Sequence, residues 1–326
     1  MIKNLATNWI RAAAVALICG AAAAGSAFAQ GKPVVRMLVG FPPGSGSDSL
    51  ARIYADALSA AIGVTTIVEN RPGAGGQIAA QALKAASPES NSIMLTVDHQ
   101  VVMLPLITRN PGFDAQKDMI PVGRIANFHT CLVVPSASPA KTLDEYIDGA
   151  KKDPKMASVA IPAPGSQPHF LTYLIGQKYE VGLTAVPYKG WSPAVVDIMG
   201  GSVPAGIGPC DGVTEQKKTG RVRILAVATE KRLKSMPEVP TFAESGFKMP
   251  ADSFLAVYAS SRLKPDLLKQ MTEATRKMFD NPTLVEKFAS TQMAPAYAGP
   301  DELRRIVEQN TEFWGAQVRR SQFQTQ

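Results

Sequence analysis

Residues 34–54, VVRMLVGFPPGSGSDSLARIY, read as strand, loop and helix in one unbroken run. Val34, Val35, Met37, Leu38 and Val39 make a buried strand. Pro42, Pro43, Gly44 and Gly46 build the loop, Phe41 and Pro43 are candidate ligand-binding residues within it, and Ser45, Ser47 or Asp48 could cap the helix that follows. Glycines let a backbone come close to a partner, and the first N–H groups of a helix point outward, unpaired and partly positive. Such a turn is a receptor for an anion. The pattern repeats at once, with a strand at 65–69 (TTIVE), a loop at 70–76 (NRPGAGG) and a helix at 77–86. Two parallel strands that each end in a glycine loop put both helix starts on one sheet edge, which forms the floor of a binding cleft.

Residues 92–97 (SIMLTV) predict a third strand, ending at Asp98 and His99. Residues 111–121 predict a loop, and 131–134 (CLVV) a strand that opens a second alternation. That alternation comprises helix 142–152, strand 158–161, loop 162–168 (PAPGSQP), helix 169–179 and strand 184–187, followed by Tyr188, Lys189 and Gly190. Helix 193–199, strand 203–207 before Gly208, and strand 222–228 complete it. Residues 254–259 (FLAVYA) return to the first unit. The tail reads as helical throughout, from Leu263, Leu267, Leu268, Met271 and Met278 and from Leu303, Ile306, Val307, Phe313, Trp314 and Val318. The fold class is therefore α/β, in two lobes joined by crossings near 125–134 and 252–259. Residues 30–125 and 255–326 make one lobe and 126–254 the other.

The 326 residues, 45% hydrophobic and 19% charged, suffice for two ordinary domains. Lys3 and Arg11, the alanine-rich run 12–24 and the small residues Ala27 and Ala29 mark residues 1–29 as a secretory leader, cleaved near Ala29. The run is shorter than the roughly 20 residues of a membrane span, so the expectation is an exported periplasmic protein. Formal charge is +7, and loss of Lys3 and Arg11 with the leader leaves +5. The basic residues are scattered, which together with export argues against nucleic acid and for a mild attraction to anions. Cys19 leaves with the leader. Cys131 and Cys210 remain, as one bridge or two buried thiols.

FPPGSGSD at 41–48, ENRPGAGG at 69–76, VPYKG at 186–190 and LAVATEKR…PEVPTFAESG at 225–246 resemble the Bug, or TctC-like, periplasmic solute-binding proteins of tripartite tricarboxylate transporters. The likeness runs in order along nearly the whole mature chain. It implies a two-lobed type II periplasmic-binding-protein fold with a hinge between the lobes, closing on a small carboxylate that is handed to a membrane permease. Carried over, Gly44, Ser45, Gly46 and Ser47 with Pro72, Gly73, Ala74 and Gly75 become one carboxylate grip. Gly165 and Ser166 come from the opposite lobe, and Tyr188, Lys189 and Gly190 line the wall. This chain departs from the pattern in four places. Ser45 and Ser47 alter the first loop, Ala163-Pro164-Gly165-Ser166 stiffens the third, and Asp98 and His99 replace small or hydroxyl residues. Gly208 stands where the family commonly has an aspartate, which leaves room there for an uncharged or aromatic part of the ligand.

The rival readings are weaker on the residues. Only His99, His129 and His169 are available for a metal, without HExxH or CxxC spacing. No G-x-S-x-G elbow supports a serine hydrolase. Gly44-Ser45-Gly46 and Gly73-Ala74-Gly75 complete neither a dinucleotide fingerprint nor a Walker A loop. The expectation is a monomeric binding protein with no catalytic residues, metal or cofactor. A periplasmic receptor that signals without transport shares the fold and stays open, with an exported enzyme as a distant alternative.

Overall fold

The computed structural model describes residues 32–247, 253–291 and 293–321. The leader lies outside the described residues. From Val34 onward the described residues form one unit built on two sheets. β1 (Val34–Val39) leads through the first glycine loop into α1 (Gly46–Ile62), then β2 (Thr65–Asn70), the second loop, and α2 (Gln77–Ala85). β3 (Ser92–Val97) follows, and β1 pairs in parallel with both β2 and β3. After β3 comes a π-type turn, His99–Met103, and the short α3 (Leu104–Ile107). β4 (Met119–Phe128) begins inside the stretch expected to be loop at 111–121.

Only His129 separates β4 from β5 (Thr130–Pro135), which belongs to the second sheet. That sheet continues through α4 (Leu143–Lys152), β6 (Ser158–Ile161), α5 (Gln167–Tyr179), β7 (Thr184–Pro187) and α6 (Trp191–Met199). β8 (Ala205–Pro209), α7 (Thr214–Lys218) and β9 (Val222–Val227) complete it, in the order β7-β6-β8-β5-β9. The strand expected at 203–207 thus starts and ends two residues later, placing Gly208 within the ladder, opposite Cys131. β10 (Ser253–Ser260) returns to the first sheet between β3 and β4 and runs antiparallel to both. α8 (Pro265–Met278) and α9 (Pro282–Ala289) follow. β11 (Ala294–Ala298) interrupts the tail expected to be helical and pairs on the outer side of β4, before α10 (Pro300–Ser321) closes the chain. The first sheet is ordered β11-β4-β10-β3-β1-β2.

Burial follows the patterning. Every residue of β3 and β10 is buried, as expected of inner strands covered on both faces. Cys131 and Cys210 are joined in a disulfide with their Cα atoms 5.1 Å apart, which settles the two options left by the sequence. It ties β5 to the segment just after β8. Trp314 of α10, wholly buried, meets Phe170 of α5 edge-on at 5.5 Å and Phe313 at 5.4 Å. The C-terminal helix therefore anchors the helix that begins at the third special loop. Trp314→Ala leaves a large void at that junction and should cost about 3–5 kcal/mol, read as a lowered urea midpoint.

Candidate functional site

The loops at the carboxyl ends of β1, β3, β6 and β8 converge on a cavity of about 120 Å³ between the sheets. Its apolar wall includes Phe41, Phe128, Trp191, Leu255 and Met293, and its polar groups include Ser45, Ser47, Asp98, His99, Gln167 and Asp211. Among the described residues, none of its lining side chains is a lysine or arginine. An adjoining cavity of about 230 Å³ is lined by Pro72, Gly73, Ala74, Gly75, Tyr188 and Lys189 and shares Phe41, Pro42, Pro162 and Gly190 with the first. The two glycine loops therefore open onto neighbouring cavities, not onto one.

The start of α1 shows why. Ser45 caps the helix, its Oγ accepting the Asp48 N–H at 3.3 Å. The Asp48 carboxylate accepts the Gly44 N–H at 2.9 Å and is held by Arg52 and Asn70. Burial would raise the Asp48 carboxyl, but these donors together keep it below its ordinary value. Gly44 is thus spent inside the loop and lines neither cavity, contrary to the expected grip, and Pro43, a candidate ligand-binding residue of the same loop, also lines neither. Among the described residues no acceptor is bonded to the N–H groups of Gly46 and Ser47, the unsatisfied donors of the helix start.

In the second loop the N–H groups of Ala74 and Gly75 are likewise unspent among the described residues. Gln100 fixes this loop to the end of β3. Its Nε2 donates to the Gly75 carbonyl at 2.7 Å, and its Oε1 accepts the Val97 N–H at 2.8 Å. Gly75 has φ +63°, and a Cβ there would sit 2.5 Å from His99 Nε2, so only glycine lets the imidazole pack on this loop. His99 is 4% exposed, and both ring nitrogens lack partners.

From the second sheet, Gln167 bridges to the first. Its Nε2 donates to Asp98 Oδ2, and its Oε1 accepts the Ser253 hydroxyl at 3.1 Å. The third loop contributes less than expected. Ser166 lines the first cavity, but its hydroxyl donates to the Ala163 carbonyl at 2.8 Å. The Gly165 N–H is taken by His169 Nδ1, and Gly165 lines neither cavity. Tyr188 lines the second cavity with its hydroxyl donated to Asp197 at 2.6 Å; burial and that carboxylate push the phenol up to about 12. The room expected at Gly208 is taken. A Cβ there would lie 2.4 Å from the Trp191 indole, which also abuts Gly206 and Gly212.

Trp191, Gln167 and Asp211 went unnamed in the sequence reading. Burial pushes Asp98 up to about 7, partly offset by Ser253, the His99 N–H and Gln167. Burial likewise pushes Asp211 up to about 7 against its own backbone N–H and His129, and pushes His99 down to about 4.

A profile described as "Tripartite tricarboxylate transporter family receptor" matches residues 50–322. The chain belongs to this family. Protein BugT of Bordetella pertussis is 31% identical over 288 residues, covering 87% of this chain and 88% of the relative. The periplasmic binding protein BugD superposes with a TM-score of 0.82 at 25% identity over 90% of this chain and 99% of that one. The R. palustris protein Rpa4515, solved with adipate, gives 0.81 at 26%, over 88% and 96%. The family is one of solute-binding receptors, not enzymes. The α/β fold in two lobes agrees with its solved members.

His99 gives a test of the buried site. Its imidazole titrates at about 4 when folded and near 6.5 otherwise, so the unfolded chain binds the extra proton between those values and stability falls as pH drops from 6.5 to 4. Asp98 and Asp211, raised on folding, act the opposite way over about the same window. His99→Asn should therefore retain more stability than the parent at pH 4, relative to pH 7, by on the order of 3 kcal/mol, measured by urea unfolding at both pH values.

Proposed function

We propose that this protein captures a small organic acid, a dicarboxylate, tricarboxylate or aromatic acid, between its sheets in the periplasm and delivers it to the membrane subunits of a tripartite tricarboxylate-type transporter. The observation that carries this reading is the pair of unspent N–H groups at Gly46 and Ser47, facing a cavity at the carboxyl ends of the strands. Those donors replace water around an acid group without a countercharge, and apolar walls accommodate its carbon skeleton. The Ala74 and Gly75 donors and Lys189 lie in the adjoining cavity, within reach of a longer acid. Family membership supports the transporter partnership, and the adipate bound by Rpa4515 supports the ligand class. Ligand that touches both sheets favours the closed arrangement, as contacts made in only one state must.

A thermal-shift screen with adipate, tricarballylate and benzoate tests it. At least one acid should raise the melting temperature through linkage, by about 2.7 kcal/mol of stability at a hundredfold excess over Kd. No response to any of the three overturns the reading. Gly75→Val forces a branched side chain into a left-handed backbone and into the space of the His99 imidazole. It should weaken the responding acid at least about a hundredfold with an unchanged far-UV spectrum, measured by calorimetric titration.

A further inference from the structure

The first cavity asks an acid to bind beside an acid. Asp211 follows β8 and the Cys131–Cys210 bridge, and its Oδ2 reaches α1: a Cβ on Gly46 would lie 3.1 Å from it. As a residue Asp211 is partly exposed, but its Oδ1 is closed off from solvent and has no partner. A carboxylate held by the Gly46 and Ser47 N–H groups would sit against this side chain. Two carboxyl groups in such contact, with no lysine or arginine among the described residues of the wall, cannot both ionise and must share a proton.

The other unspent groups agree. Trp191, 8% exposed, has an unpartnered indole N–H, and with the two helix-start amides it makes a set of donors. An ionised Asp211 would be an acceptor set among them, opposed to the ligand. A protonated one joins the set as an O–H donor. We infer that Asp211 binds the ligand's carboxylate as a protonated hydrogen-bond donor, so that each acid captured above neutral pH brings one proton from solvent. The inference rests on the cavity being the acid site proposed above.

Of the other titratable groups around Asp211 among the described residues, His129 is the source of positive charge. His129, between β4 and β5, is the one that favours an ionised Asp211. Asp98 and His99, after β3, line the same cavity, Asp98 bonded to Gln167 and His99 held neutral by burial. Asp48, in the first turn of α1, is committed to Arg52, Gly44 and Asn70. Burial already favours the protonated form of Asp211 before ligand arrives.

Calorimetric titration of the intact, disulfide-bonded protein with adipate, tricarballylate and benzoate between pH 7 and 9, where all three are fully ionised, tests this. The affinity of the acid that binds should fall about tenfold per pH unit between pH 8 and 9. Titrations in buffers of different ionisation heat should show uptake of close to one proton per acid. Asp211→Asn, whose amide N–H cannot ionise, should lose both the slope and the uptake. Asp98→Asn should keep the slope.

Binding without slope or uptake overturns this inference and leaves the acid-binding reading standing. Absence of binding for all three acids at every pH overturns both. A slope that persists in Asp211→Asn, or one that disappears in Asp98→Asn, overturns the assignment to Asp211. Tighter binding of 6-aminohexanoate than of adipate, lost in Asp211→Asn, also overturns it, because Asp211 would then be ionised and paired with an ammonium group.

Discussion

Antiparallel pairing of β4 with β10 is the constraint on which the site depends. Ser253, the first residue of β10, lies opposite Phe128, the last of β4. The chain therefore leaves the first sheet and rejoins it at one place, and any change of angle between the sheets has to bend there. Phe128, Thr130 and Ser253, which stand at this junction, are also part of the cavity wall. Gln167 bonds to Ser253 and Asp98 from the other sheet, so the polar bridge between the lobes is built beside the crossing strands. Loops from four strands meet at the cavity beside this junction, where β4 of the first sheet passes into β5 of the second.

Among the described residues the cavity wall carries no lysine or arginine. Its donors are backbone N–H groups at a helix start and an indole, oriented before anything binds, so little reorganisation accompanies capture. The one acidic group that could oppose a ligand within the first glycine loop, Asp48, is neutralised in place by Arg52 and hydrogen-bonded to Gly44 and Asn70. That arrangement consumes one amide of the loop and rigidifies the rest. The second loop is braced by Gln100 from the end of β3, a residue with no contact role of its own in either cavity.

Much of the architecture was legible in the residues because strand, glycine loop and helix recur with clean periodicity. The two-lobed α/β class follows from that alternation and from the apolar run that returns as β10. The strand Ala294–Ala298 was not legible: APAYA carries three alanines, a proline and no β-branched residue, and its pairing with β4 is a tertiary contact. At the site, Ser45, Ser47, Asp98 and His99 line the first cavity, and Pro72 to Gly75 line the second. Gly44 illustrates the limit. An amide at a glycine turn reads the same whether a ligand or the protein's own Asp48 takes it. Gly208 illustrates another, since a missing side chain looks like space until Trp191, seventeen positions earlier in the sequence, is found filling it. Asp211 is an acid in a loop, and sequence alone gives such residues no burial.

The placement of β10 also orders the making of the molecule. Thr96 of β3 bonds to Ala256 across a separation of 160 residues, and β4 has no strand between itself and β3 until that segment exists. The second sheet is continuous from Thr130 to Val227 and is fully synthesised before then. The first sheet opens the described chain yet is finished last, its two halves waiting for one late strand to zip them together. Closing so long a span is entropically slow, so the lobe begun first is the lobe that matures second.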